Sequence, residues 1–261
     1  MYPDYVTSIA GFGVGIVVGM TGVGGGALMT PLLLLVFGVA PQTAVGTDLL
    51  FAAITKSVGA VSHNRRGTVD WTVVRRLLLG SIPASVVTLL LLHTNTVSRM
   101  EDKLIVGALG AALVITSFAT LFKGALHDLG RRLRINTPSE FKRVQPVLTV
   151  VAGAMLGTMV TLTSIGAGAL GAVMLTYLYP LRLTPAKLVG TDIAHAIPLA
   201  LVAGAGYFAM GSIDFGLLGW LLLGSLPGVL IGTYFGSVVP DRLLRTMIAV
   251  VLMFVGVRLL S

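Results

Sequence analysis

The sequence contains no cysteine, which excludes disulfides, thiolate metal ligands and thiol nucleophiles. Charge is also scarce. Asp, Glu, Lys and Arg make up 11% of the 261 residues, against about a quarter in a soluble domain. A chain this poor in charge cannot cover a water-facing surface of its own. No G-x-x-x-x-G-K-[ST] occurs, so a nucleotide-binding loop and direct ATP use are not expected. Period-two alternation bounded by turn residues is missing, which removes a transmembrane β-barrel. The opening "MYPDYVTS" lacks a basic n-region, so no cleavable signal peptide is expected.

What is present is long apolar runs, in a chain that is 55% hydrophobic. This composition reads as an all-α integral membrane protein of one domain. Apolar runs near the ~20 residues needed to cross hydrocarbon fall at about 42–62, 71–92, 100–122, 184–208, 214–236 and 241–260. Two further regions, 5–37 and 144–179, are too long for one crossing at ~1.5 Å per residue. Each is interrupted, at "TGVGGG" (Thr21–Gly26) and "TSIGAG" (Thr163–Gly168). The arms that follow, about 27–37 and 169–179, are too short to cross. Both regions read as helix–break–helix hairpins that enter and return, with two short tilted spans apiece as the alternative.

The chain repeats itself. "VGTDLL" at Val45–Leu50 recurs as "VGTDIA" at Val189–Ala194, and "LLLGSIP" at Leu77–Pro83 recurs as "LLLGSLP" at Leu221–Pro227. Pro41, Gly67 and Asp70 match Pro185, Gly211 and Asp214 at the same offset. The breaks align two residues out of that register. The expected architecture is two inverted-topology repeats, about 5–122 and 144–260, each a hairpin plus about three transmembrane helices, joined by a linker at about 123–143. Three spans between the breaks make the second half enter from the opposite face. On this topology fourteen Lys and Arg fall on one side and three, Arg99, Lys103 and Arg258, on the other. The positive-inside rule makes the rich side, with basic loops 63–76 and 123–143, cytoplasmic, and both termini outside. The net charge of +8 is explained the same way, and nucleic acid is not an expected partner.

Inverted repeats with broken helices point to a secondary transporter. Unpaired backbone groups cost several kcal/mol in hydrocarbon, so a break persists where it meets ligand, water or packed protein. Each break lies just N-terminal to its return arm. Helix N-termini carry partial positive charge and free N–H donors, which favours a small anion. The candidate binding residues are Thr21, Gly22, Gly24, Gly25, Gly26, Thr163, Ser164, Gly166 and Gly168, with Thr161 near the second break. Thr47 and Thr191 of the two "VGTD" motifs join them. Close helix packing through small residues explains any single glycine equally well.

Ionisable groups within spans are functional candidates by default. Asp48 and Asp192 hold the same place in the two motifs, as proton acceptors or as structural caps for neighbouring helix ends. Lys56 lies eight residues from Asp48 on one face, pairing with it or snorkelling to the surface. His195 could relay protons, or be a satisfied buried histidine. Neither a metal site nor a cofactor is expected. An intramembrane enzyme built on Ser164 and His195 has no counterpart in the first half, and an enzyme is not expected.

At "GVGGGALMTPLL" (Gly22–Leu33), "AVGTDLL" (Ala44–Leu50) and their second-half echoes, the sequence resembles the TauE/SafE family of sulfite and organosulfonate exporters. The likeness extends over essentially the whole chain. It implies a multi-pass transporter of the inner (cell) membrane, carrying sulfite, sulfoacetate or a related sulfonate. Most members are assigned as exporters and some as uptake systems. The expected function is secondary transport of such an anion, linked to protons, around a midplane site, with a cation or metal permease or a passive anion channel as alternatives. The expected partners are that anion and the lipid bilayer, and a homodimer is compatible with the fold.

Overall fold

The computed structural model of the protein describes residues 4–21, 26–65, 67–94, 101–136, 138–166, 168–235 and 241–260. Among these residues the chain is helical without strands. The first half of the chain, where repeat 1 is expected, holds α1 (Asp4–Thr21), α2 (Gly26–Leu35), α3 (Pro41–Arg65), α4 (Trp71–His93) and α5 (Glu101–Leu121). Then come α6 (Lys123–Asn136) and, where repeat 2 is expected, five further helices: α7 (Pro138–Thr163), α8 (Ala169–Leu178), α9 (Pro185–Ala209), α10 (Phe215–Phe235) and α11 (Asp241–Leu260). Four segments among the described residues are long and apolar enough to cross a membrane: Trp71–His93, Lys142–Thr163, Pro185–Ala209 and Phe215–Gly232. A fifth candidate is α5 with α6, bent by 65° between them. Side chains such as Val87, Leu91, Leu223, Leu230 and Phe254 face outward, as a lipid-facing surface requires.

The basic segment 123–143, expected as the link between the repeats, is helical. Residues 123–136 form α6, and α7 begins at Pro138. Leu126, Leu129 and Leu133 recur at helical spacing among the basic residues, which makes an amphipathic helix.

Local sequence sets the helix ends. Asp70 Oδ1 accepts from Val73 N at 3.3 Å and Asp214 Oδ1 from Leu217 N at 2.9 Å, both as N-caps. Gly67 and Gly211 precede those loops with φ of +63° and +70°, a left-handed conformation that glycine adopts without strain.

The helices pair across the repeats, and the pairs match. Helices α1 and α10 run parallel: Ser8 Oγ donates to Trp220 O at 2.9 Å, and Gly11 and Gly15 sit directly on the backbone of Leu221 and Ser225. Helices α4 and α7 do the same, with Gly153 and Gly157 on the backbone of Leu77 and Ser81. A methyl group at any of these glycines would collide with main chain, so the glycines set the close approach. Helices α3 and α9 run antiparallel, with Leu50 against Gly204 and Thr68 against Gly190. Helices α5 and α11 are also antiparallel, with Gly110 beside Gly256 and Ser117 Oγ donating to Ala249 O at 2.7 Å.

The second hairpin returns on itself. Gln145 Nε2, near the start of α7, donates to Leu178 O at the end of α8 at 2.5 Å. Thr149 Oγ1 lies 2.8 Å from Tyr179 Oη. The ten residues of α8 rise about 15 Å, half of a ~30 Å hydrocarbon core. The first hairpin's break, Gly22–Val23–Gly24–Gly25, lies outside the described residues.

Candidate functional site

The site is built where α3 and α9 pack with the two hairpins. Asp48 and Asp192 are both buried, at 0% and 4% exposure. Thr30 of α2 donates to Asp48 Oδ2 at 2.5 Å. Ser164 Oγ, in the second break, approaches the same carboxylate without completing a hydrogen bond. Asp192 lies against Gly171 of α8, so closely that a Cβ there would meet its Oδ1. Lys56 is buried at 7% exposure and does not snorkel to the surface. It interacts electrostatically with Asp192 first and with Asp48 second. The cation of α3 thus interacts with both buried carboxylates. His195 Nε2 lies 3.0 Å from Ser81 Oγ of α4.

Four buried polar atoms of these residues have no hydrogen-bond partner among the described residues: Asp48 Oδ1, Asp192 Oδ1, Ser164 Oγ and His195 Nδ1. Unmatched buried polar atoms carry a penalty of about 1–3 kcal/mol each, and they gather here. Among the described residues no three His, Asp or Glu side chains converge as metal ligands.

The second break is shaped by its own hydroxyls. Thr163 Oγ1 donates to Met159 O at 2.6 Å and accepts from Ile165 N at 3.1 Å. Tyr207 Oη donates to Thr161 O at 3.0 Å, which satisfies a carbonyl at the end of α7. Thr161 Oγ1 donates to Ser85 Oγ at 2.7 Å. Ser164 has φ of +58°, strained for a residue with a side chain. Gly166 follows at +116° and Gly168 at +155°. Gly168 opens α8 with no side-chain cap, and Gly166 O accepts from Gly171 N at 2.9 Å, so the break's own carbonyl satisfies one first-turn N–H of the helix.

A cavity of about 710 Å³ reaches this helix end. Lys123 and His127 of α6 line it, together with Gly168, Ala169, Thr176, Thr184 and Asp192. Lys123 also interacts electrostatically with Asp192. The same face carries Asp70 and Arg182, paired at 2.6 and 2.9 Å.

Not all expected site residues converge. Thr191 Oγ1 accepts from Asp70 N at 3.0 Å, and Thr47 Oγ1 accepts from Asp214 N at 3.2 Å. These matched bonds fasten the loops before α4 and α10. Gly26 opens α2. Gly22, Gly24 and Gly25 lie outside the described residues, as does the side chain of Thr21. Residues that sequence reasoning missed are Thr30, Ser81, Lys123, Gly171 and Tyr207. Two carried a signal: Thr30 is a hydroxyl in an otherwise apolar arm, and Ser81 belongs to the repeated "LLLGS".

Comparison with known proteins decides the family. The profile described as "Sulfite exporter TauE/SafE" matches residues 7–259. The chain belongs to the TauE/SafE family. Among relatives from Bacillus subtilis (strain 168), the "Probable membrane transporter protein YjnA" is 39% identical over 257 residues, covering 97% of this chain and 98% of the relative. The "Probable membrane transporter protein YdhB" is 29% identical over 259 residues, covering 95% and 97%. No solved structure matches the chain. As a TauE/SafE member the protein is a multi-pass membrane transporter, and neither the family nor these relatives are enzymes.

Proposed function

We propose that the protein is a secondary active transporter of a sulfur oxyanion or organosulfonate, coupled to protons, in the inner membrane with its basic face cytoplasmic and both termini outside. The repeats are inverted, and a site at mid-depth opens to each face in turn. The observation that carries this is the cavity that runs from the basic face, past Lys123, to the first residues of α8 and Asp192. The antiparallel run of α3 on α9, equivalent helices of the two repeats, supports the inversion. A volume of about 710 Å³ admits an organosulfonate as well as a hydrated sulfite.

The charges suggest how coupling works. With both carboxylates ionised, Lys56 is outnumbered and an incoming anion is repelled. A proton on Asp192 removes its principal partner's charge. The site's net charge then becomes less negative and admits the anion, so proton and anion move together. The first turn of α8 supplies backbone N–H donors where the anion arrives.

The test uses purified protein in proteoliposomes with labelled sulfite and sulfoacetate. A pH gradient, acid outside, is expected to drive uphill accumulation, which a passive channel cannot do. Full pH-driven flux in both Asp48→Asn and Asp192→Asn would end the proton-carrier idea. Thermal stabilisation by sulfite, thiosulfate, sulfoacetate or taurine is expected; stabilisation by metal ions alone would favour a cation permease.

A further inference from the structure

A second cavity of about 360 Å³ lies on the basic face, on the other side of the Tyr179–Leu181 segment from the path to Asp192. Its walls are Arg76 of α4, Lys142 and Gln145 of α7, and Tyr179 and Arg182 of the α8–α9 loop. Among the described residues three cations line it and no carboxylate does. Asp70 pairs with Arg182 from outside the lining.

The floor is fixed. Tyr179 is 1% exposed, with its hydroxyl held by Thr149 and contacted by Arg76 Nη1 at 3.4 Å. The Arg182 guanidinium lies 5.9 Å from the centre of the Tyr179 ring. Gln145 is held by the Leu178 carbonyl. This geometry keeps the cations spread around a cavity instead of collapsing onto acidic partners.

One rim is apolar and outward-facing. Val144, Val147, Leu148, Val151 and Met155 are exposed along a single face of α7, beginning beside Lys142. In a membrane protein that face meets acyl chains. The cavity therefore sits where the headgroup of a lipid lying along α7 arrives. The feature is one-sided, because the residue matching Arg76 in repeat 2 is Trp220.

We propose that this cavity binds the phosphate of an anionic phospholipid in the leaflet that meets the basic face, with the acyl chains along α7. Arginine suits the role through its planar, multiply donating guanidinium, and basic pockets between helices are the kind of site that anionic headgroups fill. Because α4 belongs to repeat 1 and α7 to repeat 2, the lipid would bridge the two.

The test is thermal unfolding of the full chain in detergent with added lipid. Phosphatidylglycerol is expected to raise the melting temperature above that with phosphatidylcholine. The double variant Arg76→Gln, Lys142→Gln is expected to lose most of that difference. Arg75→Gln, an exposed neighbour outside the cavity, is expected to keep it. An undiminished difference in the double variant overturns the proposal. So does an equal shift from millimolar inorganic phosphate or glycerol phosphate, which would make the ligand a soluble anion. Should the double variant not fold, native mass spectrometry of the unaltered protein decides. Selective retention of phosphatidylglycerol supports the proposal, and equal retention of both lipids overturns it.

Discussion

Asp48 and Asp192 occupy the same position in two copies of one motif, yet their surroundings differ. Asp48 is sealed, with a hydroxyl donor from α2 and no exposure. Both carboxylates have an Oδ1 without a partner among the described residues, but only Asp192 lines the cavity to the basic face. The residue of α8 that aligns with Thr30 is Ala172, which leaves Asp192 without an equivalent hydroxyl. Lys56, whose counterpart is Ala200, leans toward Asp192. Duplication supplied a symmetric frame, and a few substitutions made its two carboxylates unlike. Among the described residues, the cavity to the basic face reaches one carboxylate and not the other.

Labelling gives the most absolute test of that difference. The chain has no cysteine, so Asp48→Cys and Asp192→Cys each carry a unique thiol. A water-soluble maleimide applied to the basic face is expected to modify the second and spare the first. Equal labelling would break the comparison.

Next in size is Lys56→Met. Removing one partner of a buried charge group costs about 3–5 kcal/mol, read as a large fall in melting temperature. Adding Asp192→Asn is expected to recover more of the loss than adding Asp48→Asn. The reverse order would make Asp48 the true partner.

Thr30→Val should destabilise by about 1–3 kcal/mol, since it leaves a buried acceptor unmatched. Ala172→Thr offers Asp192 the donor it lacks and is expected to slow pH-driven flux while leaving the melting temperature nearly unchanged. The smallest effects are expected at Thr47→Val and Thr191→Val, about 1 kcal/mol each. These should be equal, because the frame is the symmetric part.

The spans, the duplication and the second break could be read in the sequence because lipid permits so few alternatives. Backbone groups must be satisfied within helices, so apolar runs and their interruptions translate directly into structure. Helix α6 was missed as a helix because its basic composition resembles a linker. The partners of the charged residues were hidden for a different reason. Spacing along α3 joins Lys56 to Asp48, eight residues away, whereas the packing of α9 on α3 presents Asp192. Ser81 beside His195 and Thr30 beside Asp48 likewise depend on how helices distant in sequence meet. Thr47 and Thr191 were legible as matched residues but not as fasteners of the opposite repeat's loops.

The glycine contacts described above constrain how such a molecule can move. Main chain rests on main chain between α1 and α10, and between α4 and α7, so neither pair can slide apart without losing a continuous seam of contacts. The rigid pieces are therefore hybrids, each made of helices from both repeats. Helix α1 is seated on α10, and α7 on α4. Half of the chain, expressed by itself, would therefore lack one side of each seam.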